Sequence, residues 1–445
     1  MPKLRKKTQE KRIKPELGGG FRDYGSGDAI LRQRLLEKIH KTFEDFGFDP
    51  METPAVERTE VLLGGEKESG KIIFNVRGSK EKKSDLSLRF DLTVPLARFL
   101  AVNPEIPKPF KRYQIGNVWR GESPQAGRYR EFLQADLDIA GASSTDADAE
   151  IIAVIWKTFK NLGLSKFIIK INNRKVLNGL PQYAGFPEKK LPELLRLVDK
   201  KEKIGEEALK KELKKVFKEK VAAKIWEIIA ISGDTKTRLI KARETLRGNA
   251  AAEEGINELI EIARNLNTAG VLPENWEIDY SVARGLGYYT GSVFETYLTD
   301  AKEFGSVASG GRYDFLTVPF TGQKLPTVGG SIGVDRLYAV FEKLNLLKKK
   351  QTSVKVLILN LLPELKKEYL ELAQVMRAAN INTSFYLGDD RAFQAQLAYA
   401  VKKEIPYVVI LGENESKRST VTVKNLVTRE QKEIPKEKIV EYFKR

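Results

Sequence analysis

The 445-residue sequence contains no cysteine and a single histidine, His40. These scarcities exclude disulfide bonds, thiol catalysis, cysteine-based zinc sites, histidine-ligated metals and Ser-His-Asp triads. His40 lies in a helical pattern and is predicted to be a surface residue. Any catalysis must then use carboxylates, arginine, lysine, tyrosine or a hard metal such as Mg²⁺ held largely by phosphate. This restriction points towards phosphoryl or nucleotidyl chemistry.

Long hydrophobic runs are missing as well. The sequence begins Met1-Pro2-Lys3-Leu4-Arg5-Lys6-Lys7, which has no apolar stretch of the kind found in secretory signals. No later run approaches the roughly 18 apolar residues of a membrane span. We therefore predict a soluble, cytoplasmic protein without a membrane partner.

Positive charge is what the sequence has in excess. It holds 77 Lys and Arg against 60 Asp and Glu, a formal net charge of +17. This excess suits a polyanionic partner such as nucleic acid. A lysine-rich surface that only maintains solubility explains the charge equally well, so composition alone leaves both readings open.

Hydrophobic patterning divides the chain into regions. Residues 1–17 are predicted to be a flexible basic tail, and an amphipathic helix should follow over residues 29–46. Residues 72–76 and 86–90 alternate in polarity and predict an antiparallel hairpin. Further strands are expected at 111–119, 131–140, 166–172, 292–297 and 329–333. Because these strands follow one another without regular intervening helices, the pattern favours a large mixed or antiparallel sheet with flanking helices, an α+β class.

Two other regions differ from this sheet. Residues 181–269 are helical and lysine-rich, and they predict a helical insertion domain within a core that spans residues 18–345. Its lysine runs could contact a phosphate backbone, although solvated helix faces carry the same pattern. Residues 346–445 alternate strand and helix, which predicts a small C-terminal α/β domain.

The most informative stretch runs from Arg120 to Phe132. A strand ends at Arg120, a turn with glycine and proline follows, and a second strand returns, so a planar guanidinium lies where it can grip phosphate in a bidentate manner. On the return strand the period of two places Gln134, Asp136 and Asp138 on one face. Such a polar row fits either solvent or a ligand pocket.

Glycine-rich segments form the other candidate sites. Residues 284–291 combine Arg284 with three glycines and the pair Tyr288 and Tyr289, which offers close backbone approach and flat aromatic walls. Residues 309–314 and 329–337 are also glycine-rich, and the second runs into a helix whose first turn carries Arg336. A tight turn with packed aromatic rings explains these patterns too, and a lone glycine pattern is weak.

Taken in order, these segments resemble the histidyl-tRNA synthetase family of class II aminoacyl-tRNA synthetases over nearly the whole chain. Residues 48–57, 120–132 and 329–337 resemble the three class II motifs. Residues 284–291 resemble the family's histidine-specific signature, and residues 88–95 resemble its loop for the substrate amine. Residues 196–200 and 394–412 resemble the insertion and anticodon-binding domains. The resemblance implies a class II antiparallel-sheet catalytic core with a helical insertion and a C-terminal anticodon-binding domain.

The resemblance also implies roles for individual residues. Arg120 and Arg284 are expected to be catalytic, with Arg120 on the α-phosphate of ATP and Arg284 stabilising the charge that develops during attack. The ATP-binding set is expected to be Arg120, Glu122, Arg128 and Arg336. The histidine-binding set is expected to be Asp91, Leu92, Thr93, Gln134, Asp138, Tyr288 and Tyr289.

The substrates and partners implied are ATP, L-histidine, tRNA(His) and a second copy of the chain in a homodimer. Mg²⁺ is expected to be held mainly by the ATP phosphates, with no protein-bound zinc and no protein metal site. The expected activity is that of a histidine–tRNA ligase. Two alternatives stay open: a non-catalytic paralogue of the ATP phosphoribosyltransferase regulatory type, which lacks the anticodon-binding domain, and an RNA-binding regulator without aminoacylation.

Overall fold

The structure is a computed structural model that describes residues 13–64, 70, 72–80, 84–124, 127–284, 288–346 and 349–444. The first twelve residues of the expected basic tail lie outside these ranges. The described residues form two compact units. The first contains residues up to Arg22 and from Leu36 to Leu344, and the second contains residues 23–35 and those from Asn345 onward. The domain boundaries given above remain predictions.

The first unit is built on a large sheet and a smaller one. Its strands are β1 Asp49–Pro50, β2 Val56–Arg58, β3 Phe74–Val76, β4 Leu86–Leu88, β5 Phe110–Trp119, β6 Glu131–Ala140, β7 Phe167–Asn173, β8 Trp276–Ile278, β9 Ser292–Leu298, β10 Ser306–Arg312 and β11 Thr327–Gly333. The large sheet has the order β1-β5-β6-β11-β10-β9-β7-β8, and the smaller sheet has the order β2-β4-β3. Only the β1–β5 and β7–β8 pairs of the described strands are parallel within the large sheet. The expected mixed sheet is confirmed.

Helix α1 Ser26–Asp45 is divided between the two units, and its first residues belong to the second. The other helices of the first unit are α2 Thr59–Leu63, α3 Thr93–Val102, α4 Thr145–Asn161, α5 Arg174–Asn178, α6 Leu180–Ala184, α7 Leu191–Val198, α8 Lys201–Ile204, α9 Glu206–Val216, α10 Glu219–Ile229, α11 Thr235–Thr245, α12 Ala250–Thr268, α13 Val318–Thr321 and α14 Val334–Lys343. Helices α6 to α12 fill the stretch that the sequence identifies as helical. Across the described part of the chain, every helix is too short or too polar to span a lipid bilayer.

Helix α4 covers one face of the large sheet. Its Ile151 and Ile155 lie so close to β11 that a Cβ on Gly330 would be 3.2 Å and 2.8 Å from their side chains. The glycine therefore permits tight packing of helix on sheet. On β6, Leu137 and Ile139 are buried and alternate with Asp136 and Asp138. This alternation leaves the opposite face of the sheet for polar side chains.

The expectation that His40 is a surface residue is wrong. The residue is half-buried, because α1 packs against β5, and its Nδ1 lies 3.1 Å from the Tyr113 hydroxyl. That hydroxyl also lies 3.2 Å from Oε1 of Glu44. His40 therefore belongs to a polar network with Tyr113 and Glu44 between α1 and β5.

The second unit contains the strands β12 Val356–Ile358, β13 Thr383–Phe385, β14 Tyr407–Ile410, β15 Thr420–Asn425 and β16 Gln431–Pro435, in the order β13-β12-β14-β15-β16. The pairs made by β12 are parallel, and the β14–β15 and β15–β16 pairs are antiparallel. Its later helices are α15 Lys366–Ala378, α16 Phe393–Lys402, α17 Glu413–Lys417 and α18 Ile439–Lys444. The expected alternation of strand and helix is confirmed.

Candidate active site

A polar cavity of about 290 Å³ lies on the face of the large sheet opposite α4. Strands β6, β10 and β11 contribute its floor, and the segments around residues 91, 120 and 288 contribute its walls. It brings together nearly all of the site residues expected from the sequence: Asp91, Thr93, Arg120, Glu122, Arg128, Gln134, Asp138, Arg284, Tyr288, Tyr289 and Arg336.

Leu92 is the exception among the expected residues. Its side chain is fully buried and does not line the cavity. Its backbone carbonyl accepts a hydrogen bond of 3.2 Å from Nη2 of Arg112. Leu92 thus contributes through its main chain, which holds a buried arginine behind the cavity wall.

Asp138 is a buried carboxylate of the cavity. Nη2 of the fully buried Arg112 lies 2.5 Å from its Oδ2, and the Tyr313 hydroxyl donates to its Oδ1. Burial raises the pKa of Asp138, while Arg112 and the Tyr313 hydroxyl act in the opposite direction. This carboxylate is held in a fixed orientation by Arg112 on the adjacent strand β5 and by Tyr313, the residue that follows β10.

Asp136 and Gln134 continue the same row on β6. Asp136 is 3% exposed, and burial raises the pKa of its carboxyl to about 7, with Arg112 opposing this shift and Asp138 adding to it. Gln134 donates from Nε2 to Oγ of Ser331 at 2.9 Å, and its Oε1 has no hydrogen-bond partner. Buried acceptors of this kind suit a ligand that carries N–H groups.

Asp91 stands at the start of helix α3. Its Oδ1 accepts a hydrogen bond of 3.0 Å from the backbone N–H of Val94. Burial raises the pKa of Asp91, although the Val94 bond and the nearby Arg120 offset part of the effect. Together with Asp136 and Asp138, Asp91 makes this end of the cavity acceptor-rich and suited to a cationic amine or a protonated ring nitrogen.

Tyrosine rings form another wall. The centroids of Tyr288 and Tyr289 are 4.4 Å apart, and Tyr288 meets Tyr313 edge to face at 5.9 Å. Burial raises the pKa of Tyr289 well above its ordinary value, so its hydroxyl stays protonated and can donate. A Cβ on Gly311 would lie 2.9 Å from the Tyr289 ring, so this glycine leaves room for the aromatic wall.

Arginine side chains dominate the other end of the cavity. Arg120, just beyond β5, donates from Nε to the Phe90 carbonyl at 3.0 Å, and its Cζ lies 5.1 Å from the centroid of the Phe132 ring. Arg336, in the first turn of α14, donates from Nη1 to the Ser306 carbonyl. These contacts fix the direction of each guanidinium group.

The electrostatics of this end reflect crowded positive charge. Burial, together with the nearby Arg128, Arg284 and Arg120, lowers the pKa of Arg336 to about 10. Arg336 nevertheless remains charged at neutral pH. Guanidinium groups gathered in this way suit a polyphosphate, which would relieve their mutual repulsion.

Arg284 has carboxylate partners. Its Nε lies 2.7 Å from Oε1 of Glu295 and 3.2 Å from Oδ1 of Asp199. Burial acts to lower the pKa of Arg284, but the attraction of Glu295 and Asp199 outweighs it, and the net shift is upward. Glu122 also lines the cavity, and its side chain is exposed.

Several cavity partners were not among the expected site residues: Arg112, Tyr313, Glu295 and Asp199, together with Asp136, which the alternation pattern placed on the correct face without a role. The contact between Arg112 and Asp138 could have been predicted from the register of the hairpin. In the β5–β6 hairpin, Phe110 pairs with Ala140, and a regular antiparallel register then sets Arg112 opposite Asp138. Residues 285–287 of the glycine-rich segment lie outside the described residues.

Comparisons with known proteins agree with this architecture. Residues 20–337 match the family model described as histidyl-tRNA synthetase, and residues 355–445 match that of an anticodon binding domain. The chain is 40% identical over 441 residues to a histidine–tRNA ligase of Clostridium tetani, which covers 97% of this chain and 98% of that protein. A histidine–tRNA ligase of Helicobacter pylori strain HPAG1 is 40% identical over 421 residues, covering 93% of this chain and 94% of that protein.

Solved structures give the same picture. A crystal structure of histidyl-tRNA synthetase from Nostoc sp. PCC 7120 superposes with a TM-score of 0.88 at 34% identity, over 97% of this chain and 99% of that one. A Bacillus halodurans C protein described as an ATP phosphoribosyltransferase regulatory subunit/histidyl-tRNA synthetase superposes with a TM-score of 0.73 over 87% of this chain and 97% of that one. At 22% identity it shows a shared fold only. The expected class II core and anticodon-binding domain are confirmed, and the chain belongs to the histidyl-tRNA synthetase family.

Proposed function

We propose that this protein is a histidine–tRNA ligase, which activates L-histidine with ATP and transfers the histidyl group to the 3′ end of tRNA(His). The observation that carries the proposal is the division of one cavity into a carboxylate-rich end and an arginine-rich end. A zwitterionic amino acid and a nucleoside triphosphate, placed side by side, match this charge pattern.

In the activation step, a carboxylate oxygen of histidine attacks the α-phosphorus of ATP, the bond to the β-phosphate oxygen breaks, and pyrophosphate leaves. Arg120 and Arg284 would stabilise the charge that develops on the α-phosphate, and Arg336 would hold the γ-phosphate. Arg128 would contact the phosphates, and Glu122 would approach the adenine end. This catalysis consists largely of positioning and electrostatics.

Selection of histidine would occur at the other end. Asp91, Thr93 and Gln134 would bind the ammonium group, and Asp138 and Tyr289 would bind the imidazole nitrogens, with Tyr288 lining the same pocket. An imidazole needs an acceptor for its N–H and a donor for its bare nitrogen. A buried carboxylate and a neutral tyrosine hydroxyl supply that pair. Leu92 would contribute through its main chain.

Mg²⁺ would enter with ATP and neutralise part of the phosphate charge. Two buried carboxylates near the arginine end are already engaged, since Glu295 contacts Arg284 and Asp335 accepts from the Leu133 N–H at 2.7 Å. Phosphate oxygens are therefore the ligands that best fit this ion here. We retain the prediction that the protein binds no zinc.

The second unit would bind the anticodon region of tRNA(His), in keeping with the family model that residues 355–445 match. The net charge of +17 favours binding to this polyanion. A homodimer and a cytoplasmic location remain part of the proposal. Light scattering of the purified protein tests the dimer, because the chain has a mass of 50.3 kDa and a dimer would have twice this value.

The alternative is a non-catalytic paralogue, which the same fold supports. The presence of the domain at residues 355–445 and of Arg120, Arg284 and Arg336 in one cavity favours the enzyme. ATP–pyrophosphate exchange, measured separately with each of the twenty amino acids, tests the choice. Exchange with histidine alone is expected. Absence of exchange from folded protein would overturn the proposal and favour the regulatory paralogue.

A further inference from the structure

Asp199 lies at the C-terminal end of α7, in the helical stretch between β7 and β8, and reaches Arg284 at the cavity. Its backbone N–H bonds to the Leu195 carbonyl at 2.9 Å, which fixes its main chain as the helix cap. A negative charge at the C-terminus of a helix is unfavourable, because the partial charge there is also negative. The dipole of α7 therefore does not favour an aspartate at this position. The ion pair with Arg284 does favour one.

The two carboxylates that hold Arg284 have different anchors. Glu295 is nearly buried on β9, and its other oxygen accepts a hydrogen bond of 2.7 Å from the Tyr297 hydroxyl. Asp199 is about one-third exposed and belongs to the helical stretch. Both approach Arg284 at Nε, which leaves the terminal Nη groups for an anionic ligand.

Arg284 needs such support for an electrostatic reason. It shares the cavity with Arg120, Arg128 and Arg336, and these charges repel one another strongly enough to affect the pKa of Arg336. Without carboxylates behind it, the guanidinium of Arg284 would be driven from the other arginines whenever phosphate is absent. The attraction of two carboxylates close to Nε opposes this repulsion and holds the group in place.

The residues after Asp199 tie the same segment to the sheet without contacting Arg284. Glu202 lies 2.7 Å from Nζ of Lys170, which is itself 3.1 Å from Asp279, and Lys201 lies 3.4 Å from Oγ of Ser281. Glu202 is therefore a matched comparison for Asp199, because it is an acidic residue of the same segment with a different basic partner.

We propose that Asp199 is a positioning residue of the activation step, which links the helical stretch to the arginine that acts on the α-phosphate. The proposal rests on the function proposed above. It assigns to this stretch a direct effect on the chemical step, transmitted through one ion pair. Displacement of α7 would alter the orientation of Arg284.

The test compares histidine-dependent ATP–pyrophosphate exchange in the wild-type protein with Asp199→Asn, Asp199→Glu and Glu202→Gln. Asp199→Asn should lower kcat by about tenfold, because small misplacement of a catalytic group is costly, while the KM for histidine changes by less than about twofold. Asp199→Glu keeps the carboxylate and should recover kcat to within about threefold of wild type. Glu202→Gln should stay within about twofold of wild type.

A wild-type kcat in Asp199→Asn would overturn the proposal. Equal losses in Asp199→Asn and Glu202→Gln would also overturn it, since they would reveal a merely structural role for the segment. If the wild-type protein itself shows no exchange, the proposed function fails instead. Calorimetric titration with ATP and Mg²⁺ then decides the role of Asp199: weaker binding in Asp199→Asn than in Glu202→Gln supports it, and equal binding refutes it.

Discussion

Gly329 on β11 lies directly against the carboxylate of Asp138 on β6. A Cβ at position 329 would fall 1.8 Å from Oδ1 of Asp138 and 2.9 Å from the Leu137 carbonyl oxygen. The two residues are paired across the antiparallel strands, so neither can move away without disturbing the sheet. The glycine at position 329 is thus a steric requirement of the buried carboxylate next to it.

Gly329→Ala should displace the Asp138 carboxylate and raise the KM for histidine by about tenfold or more, with a smaller effect on the KM for ATP. Exchange kinetics with each substrate varied in turn measure both values. Gly333→Ala is the matched control on the same strand, because the nearest atoms to a Cβ there are 3.6 Å away. Equal changes in the two variants would contradict the steric explanation.

Arg284→Ala should strongly reduce adenylate formation, because under the proposed mechanism the substitution removes a cation from the α-phosphate, and it also takes the ionic partner from Glu295. The loss should reach about 10²- to 10³-fold in kcat, the scale seen for single groups that stabilise developing charge. Far-UV circular dichroism should be unchanged. Near-normal exchange by this variant, from protein purified free of host synthetases, would remove Arg284 from the catalytic role.

Arg112→Met should cost about 3–5 kcal/mol in the free energy of unfolding, because it leaves Asp138 buried without its ionic partner. Urea denaturation at neutral pH measures this change. Lys111→Met is the control from the same strand: its ion pair with Glu150 is partly exposed, and it should cost no more than about 1 kcal/mol. Similar losses of unfolding free energy in the two variants would show that the buried Arg112–Asp138 pair stabilises the fold no more than the partly exposed Lys111–Glu150 pair.

Asp136 predicts a pH dependence of stability. Its pKa is raised to about 7 in the folded protein from an ordinary value of 3.8, so the folded state holds a proton that the unfolded state has lost between these values. The contribution of this group to stability therefore falls as pH rises through that window and is fully unfavourable above pH 7.

Asp136→Asn removes this titration. The unfolding free energy of the variant, relative to that of the wild type, should increase from pH 5 to pH 8 by a few kcal/mol. Comparing the two proteins cancels the titrations of groups far from Asp136, which both proteins share. A pH-independent difference would contradict the prediction that Asp136 takes up a proton on folding.

Much of the fold follows from local patterns. The alternation from Glu131 to Ala140 predicts β6 with the bounds that it has, and the same alternation places Gln134, Asp136 and Asp138 on one face. The amphipathic pattern of the first helix predicts residues 29–46, and the helix occupies Ser26–Asp45. Periodicity carries this information because each side chain reports the environment of its own face.

The remaining part of the site depends on contacts between distant segments. Asp199 and Glu295 meet Arg284 only because β9 pairs with β7 across the whole helical stretch, and no local pattern contains that pairing. Placing Arg112 opposite Asp138 required the register of a hairpin, which depends on the turn as well as on the hydrophobic pattern of the two strands. The roles of individual site residues came from family resemblance and stay predictions.

The two ends of the cavity also differ in how far apart their parts lie along the chain. Asp136, Asp138 and Arg112 belong to one hairpin, β5–β6, whereas Arg120, Arg284 and Arg336 come together only after β9, β10 and β11 have joined the sheet. Contacts between residues close in sequence form with a smaller loss of chain entropy than contacts between distant ones. During folding, the β5–β6 hairpin with Asp136, Asp138 and Arg112 can therefore form before Tyr288, Tyr289 and the arginine end join it, and a nascent chain truncated after β6 would already contain these three charged groups.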